Sequence, residues 1–127
     1  MRLFHYTREI IAQDICREGF RDAPFKVSVF DPVSPSTPRG VWLSDPPVQA
    51  FRESLRRAWR TALWIRPDLP DLVAEVDASV VLLAVDVPDG QVLRYEWTGP
   101  GKTFPERAFF VPAAILNECG VVTRVER

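Results

Sequence analysis

Apolar and polar positions divide the chain into short segments. Residues 2–6, Arg-Leu-Phe-His-Tyr, followed by Thr7, form a brief apolar run with a polar tip, which predicts a strand whose end presents binding groups. Thr7 is a helix-capping residue type. Ile10, Ile11 and Ile15 then recur at helical spacing before Gly19, so the pattern predicts a helix over 8–18 with those isoleucines on one face. Phe20 and Phe25 flank its exit. Residues 31–38 hold three prolines and three hydroxyl residues, the composition of a surface loop. A second strand, 40–44, is entered through Gly40 and left through Asp45, with Pro46 at the first position of a second helix. Val48, Phe51, Leu55, Ala58, Trp59, Ala62 and Leu63 form the core-facing stripe of that helix, which Pro67 and Pro70 end before one further helical turn at 71–76.

From Ser79 onward the pattern is one of strands. Residues 80–85 are continuously apolar and too few to need a helix, as in a strand buried on both faces. Pro88, Asp89 and Gly90 read as a turn, with Val92, Leu93, Tyr95 and Trp97 in the returning strand. A strand at 108–111, a short helix from Pro112 through Leu116, a stop at Gly120 and a last strand at 121–125 complete the chain. The expected class is α+β, with helices early, strands late and a mixed, mainly antiparallel sheet.

Composition narrows the function classes. A chain of 127 residues, 46% of them hydrophobic, fits one domain spanning 1–127 with a core that needs neither disulfide nor metal. Sixteen basic against seventeen acidic residues do not advertise nucleic acid or an anionic membrane. Arg52, Arg56, Arg57, Arg60 and Arg66 read as the solvated face of the second helix. One histidine and two distant cysteines, Cys16 and Cys119, argue against a structural metal site and for a reducing, cytoplasmic location. No apolar run approaches the roughly 20 residues that cross a bilayer.

The candidate chemistry begins at His5, whose imidazole can donate, accept or titrate near neutrality at a strand end. His5-Tyr6-Thr7 followed by a helix, then Gly40-Val41-Trp42-Leu43-Ser44-Asp45 followed by a helix, resembles the ADP-ribosyltransferase superfamily in motif order, element type and spacing. The resemblance covers most of the chain, although its motifs are short. It implies a split-sheet domain that binds NAD as substrate in a cleft between two small sheets. It also implies that His5 bonds a ribose hydroxyl, that the backbone near Tyr6 and Thr7 meets the carboxamide, and that Gly40, Trp42 and Ser44 belong to the second-strand motif lining the nicotinamide pocket. Phe51 is expected either to stack on nicotinamide or to belong to the core stripe, and Trp42 to line the pocket or to pack between strand and helix.

Breaking the bond between nicotinamide and ribose develops oxocarbenium character, so transfer needs a carboxylate near the ribose. The resemblance puts a glutamate at the head of the third motif strand, where this chain has Ala108. Glu106, two residues earlier and on the same side of an extended strand, is the expected catalytic substitute, and Glu96 the weaker candidate. The expected function is therefore NAD-dependent transfer of ADP-ribose to an acceptor, protein or nucleic acid, that the sequence does not identify, or hydrolysis of NAD. A non-catalytic nucleotide- or protein-binding module on the same fold is the alternative that best fits Ala108. An NAD-dependent RNA 2'-phosphotransferase, with Arg8 and Arg39 on phosphates, is another.

Overall fold

The computed structural model describes residues 1–25, 33–49, 51–53, 55, 80–99 and 102–125. The chain runs β1 (Arg2–Arg8), α1 (Glu9–Glu18), β2 (Ala23–Pro24), β3 (Arg39–Asp45), helical backbone at 49, 51–53 and 55, then β4 (Val80–Asp86) and α2 (Asp89–Val92). A 3-10 turn (Leu93–Tyr95), β5 (Glu96–Trp97), β6 (Arg107–Val111), α3 (Ala113–Cys119) and β7 (Val121–Arg124) follow. The described strands form one sheet in the order β5-β6-β3-β1-β4-β7, with β2 on the far end of β3, and every pairing is antiparallel. The class is α+β, as the segment pattern implies.

The sheet is two ladders with a weak joint. β1 pairs with β4 along its whole length, from Arg2 opposite Asp86 to Arg8 opposite Val80. β3 pairs with β6 over five residues, from Val41 opposite Val111 to Asp45 opposite Arg107. Between β1 and β3 the register contains a single pair, Phe4 opposite Ser44.

Side-chain alternation assigns the faces. Leu3, Val41, Leu43, Leu83, Val85, Phe109 and Val111 join Ala12 and Ile15 of α1 and Ala113 and Leu116 of α3 in one buried cluster, so these two helices cover one face. Two side-chain latches tie the chain after α1 to α3. Asn117 Oδ1 accepts from the Phe20 N–H at 2.7 Å while its Nδ2 donates to the Phe20 carbonyl at 2.9 Å, and Asp22 Oδ1 accepts from the Ala113 N–H at 2.8 Å. The aspartate thus satisfies one of the orphan amide groups of the α3 first turn.

Several expectations change. Thr7 does not cap α1: it lies buried within β1, and Arg8 takes the cap position without a side-chain hydrogen bond. The buried face of α1 consists of Ala12 and Ile15, with Ile10 66% and Ile11 40% exposed, because the helix lies on the sheet along a narrower stripe than three isoleucines would make. Helical backbone after Pro46 begins at residue 49. The stripe from Ala58 to Leu63 and the turn at 71–76 lie outside the described residues. The hairpin expected at 88–97 is a helical turn, because Val92 is drawn wholly into the core. Only Glu96–Trp97 remains strand, and it pairs with β6 rather than returning along β4. Strands and helices therefore interleave instead of segregating. Among the described residues no helix is long and apolar enough to cross a membrane.

Gly120 closes α3, its N–H bonding the Leu116 carbonyl at 2.9 Å, and a Cβ there would lie 2.6 Å from that carbonyl oxygen and 3.0 Å from Val85. Gly120→Ala should destabilise the fold by about 1–3 kcal/mol through overpacking. Gly90→Ala, whose Cβ meets nothing within 4 Å, should be neutral or slightly stabilising in its helical turn. Thermal melts of the two variants check the contrast, and equal midpoints would contradict it.

Candidate functional site

The joint between β1 and β3 is where polar chemistry meets the sheet. His5 lies one residue past the Phe4–Ser44 pair, and its Nδ1 is 2.7 Å from the Trp42 carbonyl oxygen. A carbonyl only accepts, so Nδ1 carries the proton and the neutral ring leaves Nε2 as an acceptor. Phe20 packs edge-on against the imidazole at 5.6 Å. Burial pushes the His5 pKa below its ordinary value, and the bond to Trp42 opposes that only in part.

The second-strand motif divides between two faces. Trp42 and Ser44 project opposite Phe110 and Ala108, away from the core of Leu43 and Phe109. Ser44 is buried at 1% exposure. By register, Phe4 shares the face of Ser44, whereas His5 shares that of Leu3 and Thr7. The structure therefore brings His5 to the backbone of Trp42 while placing it across the sheet from the Ser44 side chain. Tyr6 and Thr7 pair with Leu82 and Val81 of β4, and past Phe4 the register of β1 with β3 contains no further pair. Gly40 has a packing reason of its own, since a Cβ there would meet the Phe110 ring and the Val111 carbonyl oxygen at 3.0 Å.

Trp42 is the hub of an aromatic cluster. Its ring centroid lies 4.9 Å from Phe110, 5.0 Å from Phe25, 5.3 Å from Trp97 and 6.0 Å from Phe51. Phe51 in turn meets Phe104 edge-on at 5.1 Å. All six rings are half-buried, outside the main core. Such contacts contribute about 0.5–1.5 kcal/mol each beyond area burial, so the cluster has a structural role in holding β3, β5 and β6 to the following helical segment.

The acidic candidates separate clearly. Glu96 forms a two-pronged pair with Arg107, at 2.8 and 3.1 Å, and the guanidinium holds its carboxyl below the usual range. It is committed to the β5–β6 edge. Ala108 is fully buried, opposite Ser44 on β3 and Trp97 on β5, so a glutamate there would be a buried carboxylate in need of a partner. Glu106 lies one residue before β6, in a bend and not in an extended strand, and its Oε2 is buried with no hydrogen-bond partner. No hydrogen bond or ion pair joins it to His5. The sequence pattern missed one group entirely: Arg52, read as part of a solvated face, has its Nε buried and unpartnered beside Phe51. Its adjacency to an aromatic of the core stripe is the only signal the chain carries for this. Among the described residues no three His, Cys, Asp or Glu side chains are grouped to hold a metal.

Comparison with known proteins gives no relative: no family model, no curated protein and no solved structure matches the chain. The fold and the site define an antiparallel α+β domain whose sheet ladder is interrupted between β1 and β3, with His5 bonded across the interruption.

The depressed His5 pKa has a definite sign in stability. The unfolded chain binds a proton near pH 6.5 that the folded chain resists, so the folded state loses stability as pH falls through about 6.5 toward the folded value and holds steady above it. Melting midpoints between pH 5 and 8 should rise with pH in the wild type. The rise should flatten in His5→Gln, and an unchanged profile in that variant would remove His5 as its source.

Proposed function

We propose that this domain binds NAD or an ADP-ribose-like ligand at the β1–β3 interruption and, with Glu106 as the carboxylate, cleaves the nicotinamide bond or transfers ADP-ribose. The observation that carries the reading is the sheet divided at a single pair with His5 beside the break, the arrangement expected of a superfamily that binds NAD between two small sheets. Two further features support it. The His5 Nε2 is an acceptor suited to a ribose hydroxyl. The orphaned Oε2 of Glu106 is a buried acceptor without a donor, a state that proteins keep at few positions and often for ligand or catalysis. Past Phe4 one of Tyr6 and Thr7 turns its backbone N–H and C=O toward the β3 side, where they can meet a carboxamide. Phe51 packs on the Trp42 ring, on the sheet face opposite His5, so its role in this reading is to hold the aromatic cluster and not to stack on nicotinamide beside His5.

A second reading, a nucleotide- or protein-binding module without transfer chemistry, is favoured by one particular: Ala108 occupies the motif position of the glutamate. Ser44, across the sheet from His5, counts against the superfamily arrangement in either reading. For a nucleotide-binding module the two readings differ only in turnover. The acceptor, protein or nucleic acid, belongs to the first.

Millimolar NAD should raise the melting midpoint of the wild type, and His5→Ala should reduce the shift, since a ligand bound only by the folded state stabilises it by mass action. Nicotinamide release should fall by about 10²-fold or more in Glu106→Gln with the NAD-induced shift retained, as for a group acting chiefly in the transition state. Glu96→Gln should keep its turnover, because Glu96 is engaged by Arg107. Release that persists undiminished in Glu106→Gln removes it from the chemistry. Binding without release in every variant establishes the module.

A further inference from the structure

β7 is the outermost strand on the β4 side of the sheet, and its hydrogen-bond pattern fixes which residues remain open. The Val125 N–H donates to the Leu82 carbonyl at 2.9 Å, directly opposite in register, so bonded and unbonded pairs alternate back from there. Val121, Thr123 and Val125 therefore commit their backbone groups to β4. Val122 and Arg124 turn theirs outward, where among the described residues no strand takes them. Exposed edges are ordinarily blunted by shortness, proline, lysine or a bulge. The opposite edge, β5, is two residues long and clamped by the Glu96–Arg107 pair. β7 has neither proline nor bulge. Its one charged side chain, Arg124, is matched within the chain by Glu9 at 2.8 Å, and Val121 is 65% exposed.

We infer that β7 pairs with β7 of a second copy of this chain, antiparallel about a two-fold axis at Thr123, so that two domains share one continuous sheet. The outward residues select this register. Val122 opposite Arg124 of the second copy, and Arg124 opposite its Val122, gives every outward N–H and C=O a partner. Centring the pairing on Val122 would set Arg124 against Gly120, whose N–H already bonds the Leu116 carbonyl. Centring it on Arg124 would set two like charges directly opposite. At the Thr123 centre the side chains also match. On the face away from α1 and α3, Val121 meets Val125 and Thr123 meets Thr123, an apolar pair and a hydroxyl pair that favour ladders. On the helix face the aliphatic stem of Arg124 lies beside Val122 while its guanidinium stays with Glu9. A strand that complements itself in this way is the requirement of an isologous interface, which favours a second copy over a foreign strand. The inference is independent of the ligand reading.

The test is sedimentation of the full chain at concentrations up to about 1 mM, the range in which a small interface associates. The mass of the wild type should rise from 14.5 kDa toward twice that value. Thr123 is exposed, so Thr123→Lys and Thr123→Glu leave the core intact while each sets like charges opposite one another at the axis. Each should weaken self-association by about 10-fold or more, and an equimolar mixture of the two should restore it through a Lys–Glu pair. Amide hydrogen exchange reads the same edge without any substitution. Protection of the Val122 and Arg124 N–H groups should rise with concentration, whereas that of Thr123, bonded to Ala84 within its own chain, should not. A chain that stays monomeric at every concentration leaves the edge to a foreign strand and overturns the inference. Exchange at Val122 and Arg124 that ignores concentration overturns it as well. So does a dimer that withstands both charged substitutions, or a mixture that associates no better than either variant alone.

Discussion

A seven-residue strand that pairs fully with one neighbour and at a single position with the other sets the terms for this domain. β1 commits its whole length to β4, while toward β3 it offers only Phe4 opposite Ser44. The imidazole of His5 then reaches the Trp42 carbonyl, one side chain doing what a ladder of backbone bonds does elsewhere. A neutral hydrogen bond contributes about 0.5–1.5 kcal/mol net, far less than a continued ladder would. The two halves of the sheet are consequently held together mostly by the common core beneath them, where Leu3, Leu43, Leu83 and Phe109 pack with α1 and α3.

That division of labour explains why the two faces differ. The core face is closed by two helices and fastened by Asn117 and Asp22, whose oxygens satisfy the Phe20 and Ala113 amides. On the opposite face the aromatic hub at Trp42 joins β3, β5 and β6 through ring contacts and is half-buried. Two buried polar atoms without partners, Arg52 Nε and Glu106 Oε2, belong to residues close in sequence to Phe51 and Phe104 of this cluster. The surface charges pair elsewhere: Arg2 with Asp86, Arg107 with Glu96 and Arg124 with Glu9, all exposed pairs of small energetic weight.

Local pattern determined much of this by itself. The apolar runs at the first, second, buried central and penultimate strands, the glycine stop at Gly19 and the proline start at Pro112 follow from side-chain alternation, from missing amide donors and from the φ of 97° that only glycine adopts easily. The α+β class follows from the same periods. The pairing of His5 with a strand-tip motif was legible as residue types in order, because order is all that a linear pattern records.

The tertiary structure decided which side each group faces and what it meets. Val92 entered the core and turned an expected strand into a helical turn, because burial of an apolar side chain outweighs weak β propensity. Register placed His5 across the sheet from Ser44, since a shift of one residue reverses every side chain and no local signal sets the register of a single-pair joint. Glu96 was claimed by Arg107 and Ala108 was enclosed between two strands, leaving Glu106 as the carboxylate with an unsatisfied oxygen. Arg52 changed too: its Nε is buried without a partner, where charge periodicity alone puts the side chain on a solvated face.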